Sequence, residues 1–285
     1  MLLNLFELVS RVYVRIPRAI KVAVARLVGW GIFRVNSRVR RNTIANMSVV
    51  LGLPRNDPLV QRLARDSVIE YALYAANVLD FYRAPAGDIA EGTDLIDEGG
   101  RLPKAFARGK GAIFATGHFG NWDVSGAKMA SITPLWVIQE TYADARLNEI
   151  LRRIRESKDM KAMQMDGSML PLLRGLLRGD SVALLIDRPT PGEGVEVEFF
   201  GRPAMVPTGV ARLAYRADVP VIVGGARREA GGRHTLFAVG DVYPDRSQPE
   251  EVEIQRISSQ VFAHFERLIR IAPEQWYMFR PMWAE

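Results

Sequence analysis

The stretch Lys110-Gly-Ala-Ile-Phe-Ala-Thr-Gly-His-Phe-Gly-Asn-Trp-Asp123 runs from an apolar segment, through a glycine-bracketed histidine, into residues of helical character. Ala112-Ile-Phe-Ala115 has no polar alternation. That pattern belongs to a strand buried on both faces, the normal state of a strand inside a sheet covered by helices. His118 stands where the strand ends, with Gly117 and Gly120 close on either side, and a helix is expected over about 121–131. In α/β sheets, ligands bind beyond the carboxyl ends of strands. The glycines let a substrate approach the backbone, and amides opening the following helix can stabilise an oxyanion.

Outward from this point the pattern repeats. Strands are expected at Leu135–Gln139, Ser181–Ile186, Val195–Phe200, Val219–Gly224 and His234–Val239. Helical stretches separate most of them, near 144–158, 168–178 and 207–216, and a long helix near 250–272 comes last. Strand–helix repetition predicts an α/β fold with a mixed, mostly parallel central sheet flanked by helices. The expected division is a helical part over 1–84 and an α/β core over 85–285, forming one folding unit.

The helical part begins with residues 2–35, broken near Pro17. Helices over about 37–51 and 57–82 follow, separated by Gly52 and Pro54, with Asp57 placed to cap the chain before Pro58. The first fifty residues hold nine basic groups and one acid, Glu7. They carry +8, whereas the remaining 235 sum to −2. Val22, Ala25, Val28, Gly29 and Ile32 follow helical spacing, with Lys21 and Arg26 on the flanks and Trp30 and Phe33 adding bulk. This fits an interfacial amphipathic helix on an anionic membrane surface, and also an ordinary helix packed on the core. No run of 18 uncharged apolar residues occurs, so a spanning helix is not expected. Aromatic residues are too sparse among the arginines for base stacking, so nucleic acid is not an expected partner.

The chain has 285 residues, 48% of them hydrophobic, and no cysteine. Cysteine nucleophiles, disulfides and thiolate zinc sites are excluded. Of the three histidines, His264 sits among Phe262, Phe265 and Leu268 and reads as structural. His234, after Gly231-Gly-Arg, reads as a surface residue at a turn. His118 is the chemical candidate. Asp123 lies five residues on, about one and a third helical turns, where it is expected to hold one imidazole nitrogen and free the other to take a proton. Asn121 and Trp122 would shape and dry the pocket. The pattern alone also suits a satisfied loop histidine. A metal site is disfavoured because no second histidine lies within ligand spacing.

Thr116-Gly-His-Phe-Gly-Asn-Trp-Asp123 resembles the His-x4-Asp/Glu motif of glycerolipid-type acyltransferases. More narrowly, it is similar to the branch containing the lipid A late acyltransferases and the phosphatidylinositol mannoside acyltransferases. A second block agrees in order and spacing: Asp187-Arg188, Gly194-Val-Glu-Val-Glu-Phe-Phe-Gly-Arg-Pro203 and Pro207-Thr-Gly-Val-Ala-Arg-Leu-Ala214. The resemblance implies that His118, assisted by Asp123, deprotonates an acceptor hydroxyl. That hydroxyl attacks the thioester of acyl-CoA or acyl carrier protein, with no metal, no cofactor and no covalent acyl-enzyme. The chain carries no Gly-x-Ser-x-Gly elbow either.

The resemblance also implies roles for Glu140 and Arg155 at the polar end of a substrate groove, although Arg155 shares a basic helix with Arg152 and Arg153 that could simply be solvated. Glu196 is expected to support His118, with a solvated edge strand as its plain alternative. Gly120, Asn121, Asp187, Arg188 and Arg202 are the remaining expected substrate contacts. An uninterrupted N-terminal anchor and a Glu at the second motif position, frequent in lipid A enzymes, are both missing. The expectation is therefore a peripheral enzyme on the cytoplasmic face of the cell membrane, with a mannoside-type acceptor favoured.

Overall fold

A computed structural model describes residues 2–164, 168–188 and 194–283, with side chains from residue 6 onward. It opens with α1 (Leu2–Tyr13), α2 (Arg18–Val35), α3 (Ser37–Leu51) and α4 (Pro58–Arg83). Local chemistry sets these bounds. Pro17 has a fixed φ and no N–H to donate, so the run breaks there. The Asn36 side chain accepts from the Val39 amide (3.0 Å) and starts α3. Gly52 ends α3 at φ +65. Asp57 accepts from the Leu59 amide (2.8 Å) ahead of Pro58.

Helices α2 and α4 pack closely because Gly29 has no side chain; a Cβ there would lie 2.6 Å from Ile69 Cα. Ala25, Gly29 and Phe33, four residues apart, are the buried positions of α2. The apolar stripe read from the sequence is therefore divided. Ala25 and Gly29 face α4, whereas Val28 and Ile32 are exposed together with Ile20, Val24, Leu27, Trp30 and Val35. Among the described residues, no helix is long and apolar enough to cross a membrane.

The rest is α/β. In chain order it comprises α5 (Ala86–Glu91), β1 (Thr93–Ile96), α6 (Arg101–Phe106), β2 (Ile113–Thr116), α7 (Trp122–Ala130), β3 (Leu135–Gln139), α8 (Ala145–Glu156) and β4 (Met160–Gln164). It continues with α9 (Leu170–Leu177), β5 (Ser181–Leu185), β6 (Val195–Phe199), β7 (Arg202–Val206), α10 (Gly209–Ala217), β8 (Val221–Arg228), β9 (His234–Val242) and α11 (Glu250–Ile271). Seven strands form one sheet in the order β1-β9-β8-β2-β5-β3-β4. All neighbours are parallel except β8 and β9. Strand β2 is central and buried at all four positions. Its alternate side chains feed two cores: Ile113 and Ala115 pack with α9, α10 and α11, and Phe114 packs with α7 and α8.

The mixed, mostly parallel sheet agrees with the sequence reading, but one expected member is elsewhere. Val195–Phe199 pairs with β7 as a separate antiparallel hairpin. The reason is its alternation. Val197 and Phe199 turn inward while Glu196 and Glu198 face solvent, a two-sided pattern that a strand buried between helix layers cannot carry. Strands β1, β4 and β7 and helices α5 and α6 were not anticipated.

After α11 the chain turns at Pro273–Gln275 and runs back between the N-terminal helices and the sheet. Ser67 donates to the Trp276 carbonyl (2.9 Å). Asn46 donates to the carbonyls of Met278 (2.8 Å) and Arg280 (2.7 Å) and accepts from the Met282 amide (3.2 Å). These bonds cross the sequence boundary expected at residue 84.

Candidate active site

Strands β2 and β5 are parallel, with Thr116 opposite Leu185. Two residues beyond that pair stand His118 and Asp187, side by side at the carboxyl edge of the sheet. His118 Nδ1 is 2.7 Å from Asp187 Oδ1. The other carboxylate oxygen accepts from the His118 amide (2.9 Å) and from the Trp276 indole (3.0 Å). Gly117 makes this approach possible, since a Cβ there would lie 2.8 Å from Asp187 Oδ2 and would overlap the Phe265 ring.

Asp187 is fully buried. Burial pushes its pKa up, but the His118 charge and the hydrogen bonds from His118 and Trp276 outweigh burial and hold it below the ordinary value. An ionised carboxylate only accepts hydrogen bonds. Nδ1 of His118 therefore carries a proton, and in the neutral form of the ring it is Nε2 that has the lone pair.

The expected partner of His118 was Asp123, and here the geometry differs. Asp123 Oδ2 accepts from the Tyr74 hydroxyl (2.8 Å), and Oδ1 faces Arg155 Nε (3.3 Å). The spacing argument assumed a helix from 118 onward. Helix α7 starts only at Trp122, and the residues before it form a tight turn in which the Phe119 amide donates to the Gly117 carbonyl (2.7 Å). Five residues do not then amount to a turn and a third of helix. Tyr74 is pushed well above its usual pKa, by burial first and by Asp123 second, so it stays a donor. The Trp122 ring lies edge-on to the imidazole at 5.3 Å and against Tyr74 at 4.0 Å.

Gly120 and Asn121 build the turn itself. Gly120 adopts φ +54, and a Cβ would overlap the Ala226 carbonyl oxygen. Its amide donates to the Gln275 carbonyl (2.8 Å), and the Asn121 amide donates to the Ala226 carbonyl (2.9 Å). The Asn121 side chain caps α7 by accepting from the Val124 amide (3.0 Å). The amides of residues 119–121 are thus engaged internally rather than turned toward an oxyanion.

The remaining expected residues fall into two groups. Arg155 reaches from α8 to Asp123 and to Gln139 Oε1 (3.2 Å), and Arg188 lies 3.7 Å from Glu140. These charged groups form a rim beyond the ends of β3 and β5. Glu196 and Arg202 are on the β6–β7 hairpin with exposed side chains. The structure brings neither to His118, and the carboxylate at the imidazole is Asp187 instead of Glu196.

Beneath α7 lies an apolar cavity lined by Thr116, Trp122, Phe114, Ile222, Leu102 and Leu236 among others. A second shares Thr116, Trp122, Gly126 and Ala183 and meets Asp123 and Arg155. The Thr116 hydroxyl, at their junction, has no hydrogen-bond partner among the described residues.

Sequence reasoning missed Trp276 and Tyr277 as parts of the site. Tyr74, with Tyr71, Leu79, Phe81 and Tyr82, reads from sequence as core packing or as lining of an acyl-chain groove, and nothing there joins it to Asp123. The chain after 272 has no periodicity, so nothing marked the Trp276 indole or the Tyr277 amide, which donates to the His118 carbonyl (2.8 Å).

A strand-end histidine oriented by a buried carboxylate, next to an apolar cavity and a guanidinium rim, defines a class of enzyme that activates a hydroxyl beside an apolar chain. The sequence model of the bacterial lipid A biosynthesis acyltransferase family matches residues 4–285. The chain belongs to that family and is a lipid acyltransferase. It is similar to the phosphatidylinositol mannoside acyltransferase of Mycolicibacterium smegmatis, with 28% identity over 94% of this chain and 88% of that protein. A Mycobacterium tuberculosis protein of the same name is 29% identical over 84% of this chain and 75% of its own length.

Proposed function

We propose that the protein moves a fatty acyl chain from acyl-CoA or acyl carrier protein to a hydroxyl of a glycolipid or phospholipid, with a phosphatidylinositol mannoside-like acceptor favoured. One observation carries this reading: His118, hydrogen-bonded through Nδ1 to Asp187, meets edge-on the Trp122 ring that lines the apolar cavity. Nε2 takes the proton of the acceptor hydroxyl as its oxygen attacks the thioester carbonyl. A C–O bond forms, the C–S bond breaks, and the proton passes from Nε2 to the departing thiolate. Asp187 stays ionised and stabilises the transient imidazolium, as the acid of a hydrolase triad does. Arg155 and Arg188 suit the phosphates of the donor or acceptor. No cofactor is needed beyond the thioester.

The exposed apolar residues of α1 and α2, interspersed with Arg11, Arg15, Arg26 and Arg34, support docking on an anionic membrane surface. The proposed location is peripheral, on the cytoplasmic face, where acyl thioesters are found. The family match favours a lipid A-type acceptor as the second reading. The test supplies purified protein with acyl-CoA or acyl carrier protein and vesicles carrying either acceptor, and follows lipid mass. A gain of one acyl group on the mannoside, absent with His118→Ala, is expected. Thioester hydrolysis without acceptor acylation would overturn the reading, and acylation of the lipid A precursor alone would select the second.

A further inference from the structure

Two more cavities lie between the N-terminal helices and the β8–β9 turn, on a different side of α7 from the apolar cavity. One is lined by Tyr13, Arg18, Lys21, Asn77, Asp80 and His234 among others. The other shares Asn77, Asp80, Gly232 and His234 and reaches Val124. Trp122, Ser125 and Gly126 of the same helix face the apolar cavity. The two regions therefore lie on separate sides of α7.

His234, expected at the surface, is only 8% exposed. Its Nε2 has no hydrogen-bond partner among the described residues. Buried polar groups are nearly always paired; this nitrogen is closed to water, and the ring edge of His234 lines both cavities, so a small turn of the ring would bring Nε2 to a ligand there. Desolvation, followed by the Arg228 charge, lowers the His234 pKa to about 4. The ring is neutral near pH 7.

The charges around it are unevenly matched. Lys21 holds Asp80 at 2.6 Å, Arg228 is bound to Glu70, and Arg233 pairs with Asp94 at 3.1 Å. Arg18 has no such partner among the described residues. Its guanidinium lies against Gly232, which sits at φ +85 and where a Cβ would overlap the guanidinium. The exposed Arg18 and the buried His234 ring thus line one polar volume. That donor set suits a phosphate oxygen. Helix α2 starts at Arg18, and its exposed Ile20, Val24 and Leu27 follow directly.

We propose that this cleft binds a phosphate ester of the kind carried by anionic lipid headgroups, at a site separate from the cavity beside His118. The proposal does not depend on acyl transfer, because binding is read without turnover. With only three histidines in the chain, imidazole NMR resolves the site. Glycerophosphoglycerol, a headgroup without acyl chains, should shift the His234 resonance, identified by its loss in His234→Gln. It should also raise the His234 pKa, because an anion at Nε2 favours the protonated ring. His118 and His264 should not move. Arg18→Gln should weaken this binding about tenfold or more, as expected for a lost charge-assisted hydrogen bond, while Arg15→Gln leaves it unchanged.

A second arm uses phosphatidylcholine vesicles with and without phosphatidylglycerol. Loss of any basic residue near the surface costs about fivefold in vesicle binding. If the lipid is the ligand, Arg18→Gln exceeds Arg15→Gln, and His234→Gln weakens binding without removing charge at pH 7. Equal vesicle losses, together with a His234 response to the soluble ester, assign the site to a soluble phosphate ester. No His234 response, measured in the unaltered protein, overturns the proposal. So does equal affinity of the two arginine variants for the soluble ester.

Discussion

Replacing Asp187 with Asn tests how His118 becomes a base. Asn is nearly isosteric with Asp, so the packing around it should survive. Its amide cannot be placed freely, however. The oxygen now at Oδ2 accepts from the His118 amide and from the Trp276 indole, so the Asn oxygen must occupy that position. The NH2 group is then forced toward His118 Nδ1, where Oδ1 now sits at 2.7 Å. An NH2 group donates, so Nδ1 must accept and the proton moves to Nε2. The nitrogen that should take the acceptor proton then already carries one. General-base assistance contributes roughly 10² to 10⁴-fold, so kcat/KM for acyl transfer should fall by about that factor, or about 3–5.5 kcal/mol of barrier. Near-ultraviolet circular dichroism should be unchanged. Asp123→Asn keeps an acceptor for Tyr74 and leaves the His118 tautomer untouched, so its loss should be about tenfold, from a weakened hold on Arg155. Radiolabelled acyl transfer by the two variants measures both. If Asp123→Asn loses as much as Asp187→Asn, or if Asp187→Asn keeps more than about a tenth of wild-type activity, the tautomer argument fails.

Four further outcomes are expected. His118→Ala should abolish transfer and also lower the thermal midpoint, because it leaves the fully buried Asp187 carboxylate without its imidazole partner; normal turnover by the folded variant would remove His118 from the mechanism. The His234 pKa is about 4 in the folded chain against an ordinary 6.5, so the unfolded chain binds the extra proton between those values. Stability should be complete above pH 6.5 and fall by up to about 3 kcal/mol as pH drops toward 4; urea midpoints across that range should be flatter for His234→Gln. Gly120→Ala must place a methyl at positive φ against the Ala226 carbonyl and should cost at least about 3 kcal/mol, read as a lowered thermal midpoint. Trp30→Ser and Leu27→Ser should each weaken vesicle flotation about tenfold or more, since full burial of either side chain contributes roughly 1.5–3 kcal/mol; unchanged flotation would argue that this face does not touch lipid.

The elements that could be read from sequence are those with long, unambiguous patterns. Ala112-Ile-Phe-Ala115 has no polar face, so it had to be a central strand, and the signals at Gly52 and Asp57 mark helix ends by chemistry that does not depend on the rest of the chain. Thr93–Ile96 was missed because it is a four-residue edge strand with three exposed positions, too short and too polar to show a period. Val195–Phe199 was recognised as a strand and assigned to the wrong sheet, since its alternation reveals two unlike faces but not which neighbours it meets. The site divides in the same way. His118 was legible from its strand-end position and flanking glycines. Its carboxylate was not, because sequence distance was taken for spatial distance. Asp187 meets His118 through the register of two parallel strands, and register is a property of the assembled sheet.

The path of residues 273–283 bears on the order in which the site comes together. The carboxylate that orients His118 lies 69 residues further along the chain, and the indole that fixes the carboxylate lies another 89 beyond it. Chains leave the ribosome amino end first, with early parts able to fold before late ones exist. A growing chain can therefore display its basic, apolar-faced helices long before His118 has a working partner. Synthesis alone would keep a half-made site from acting, with Trp276 and Tyr277 arriving last of the residues that build it.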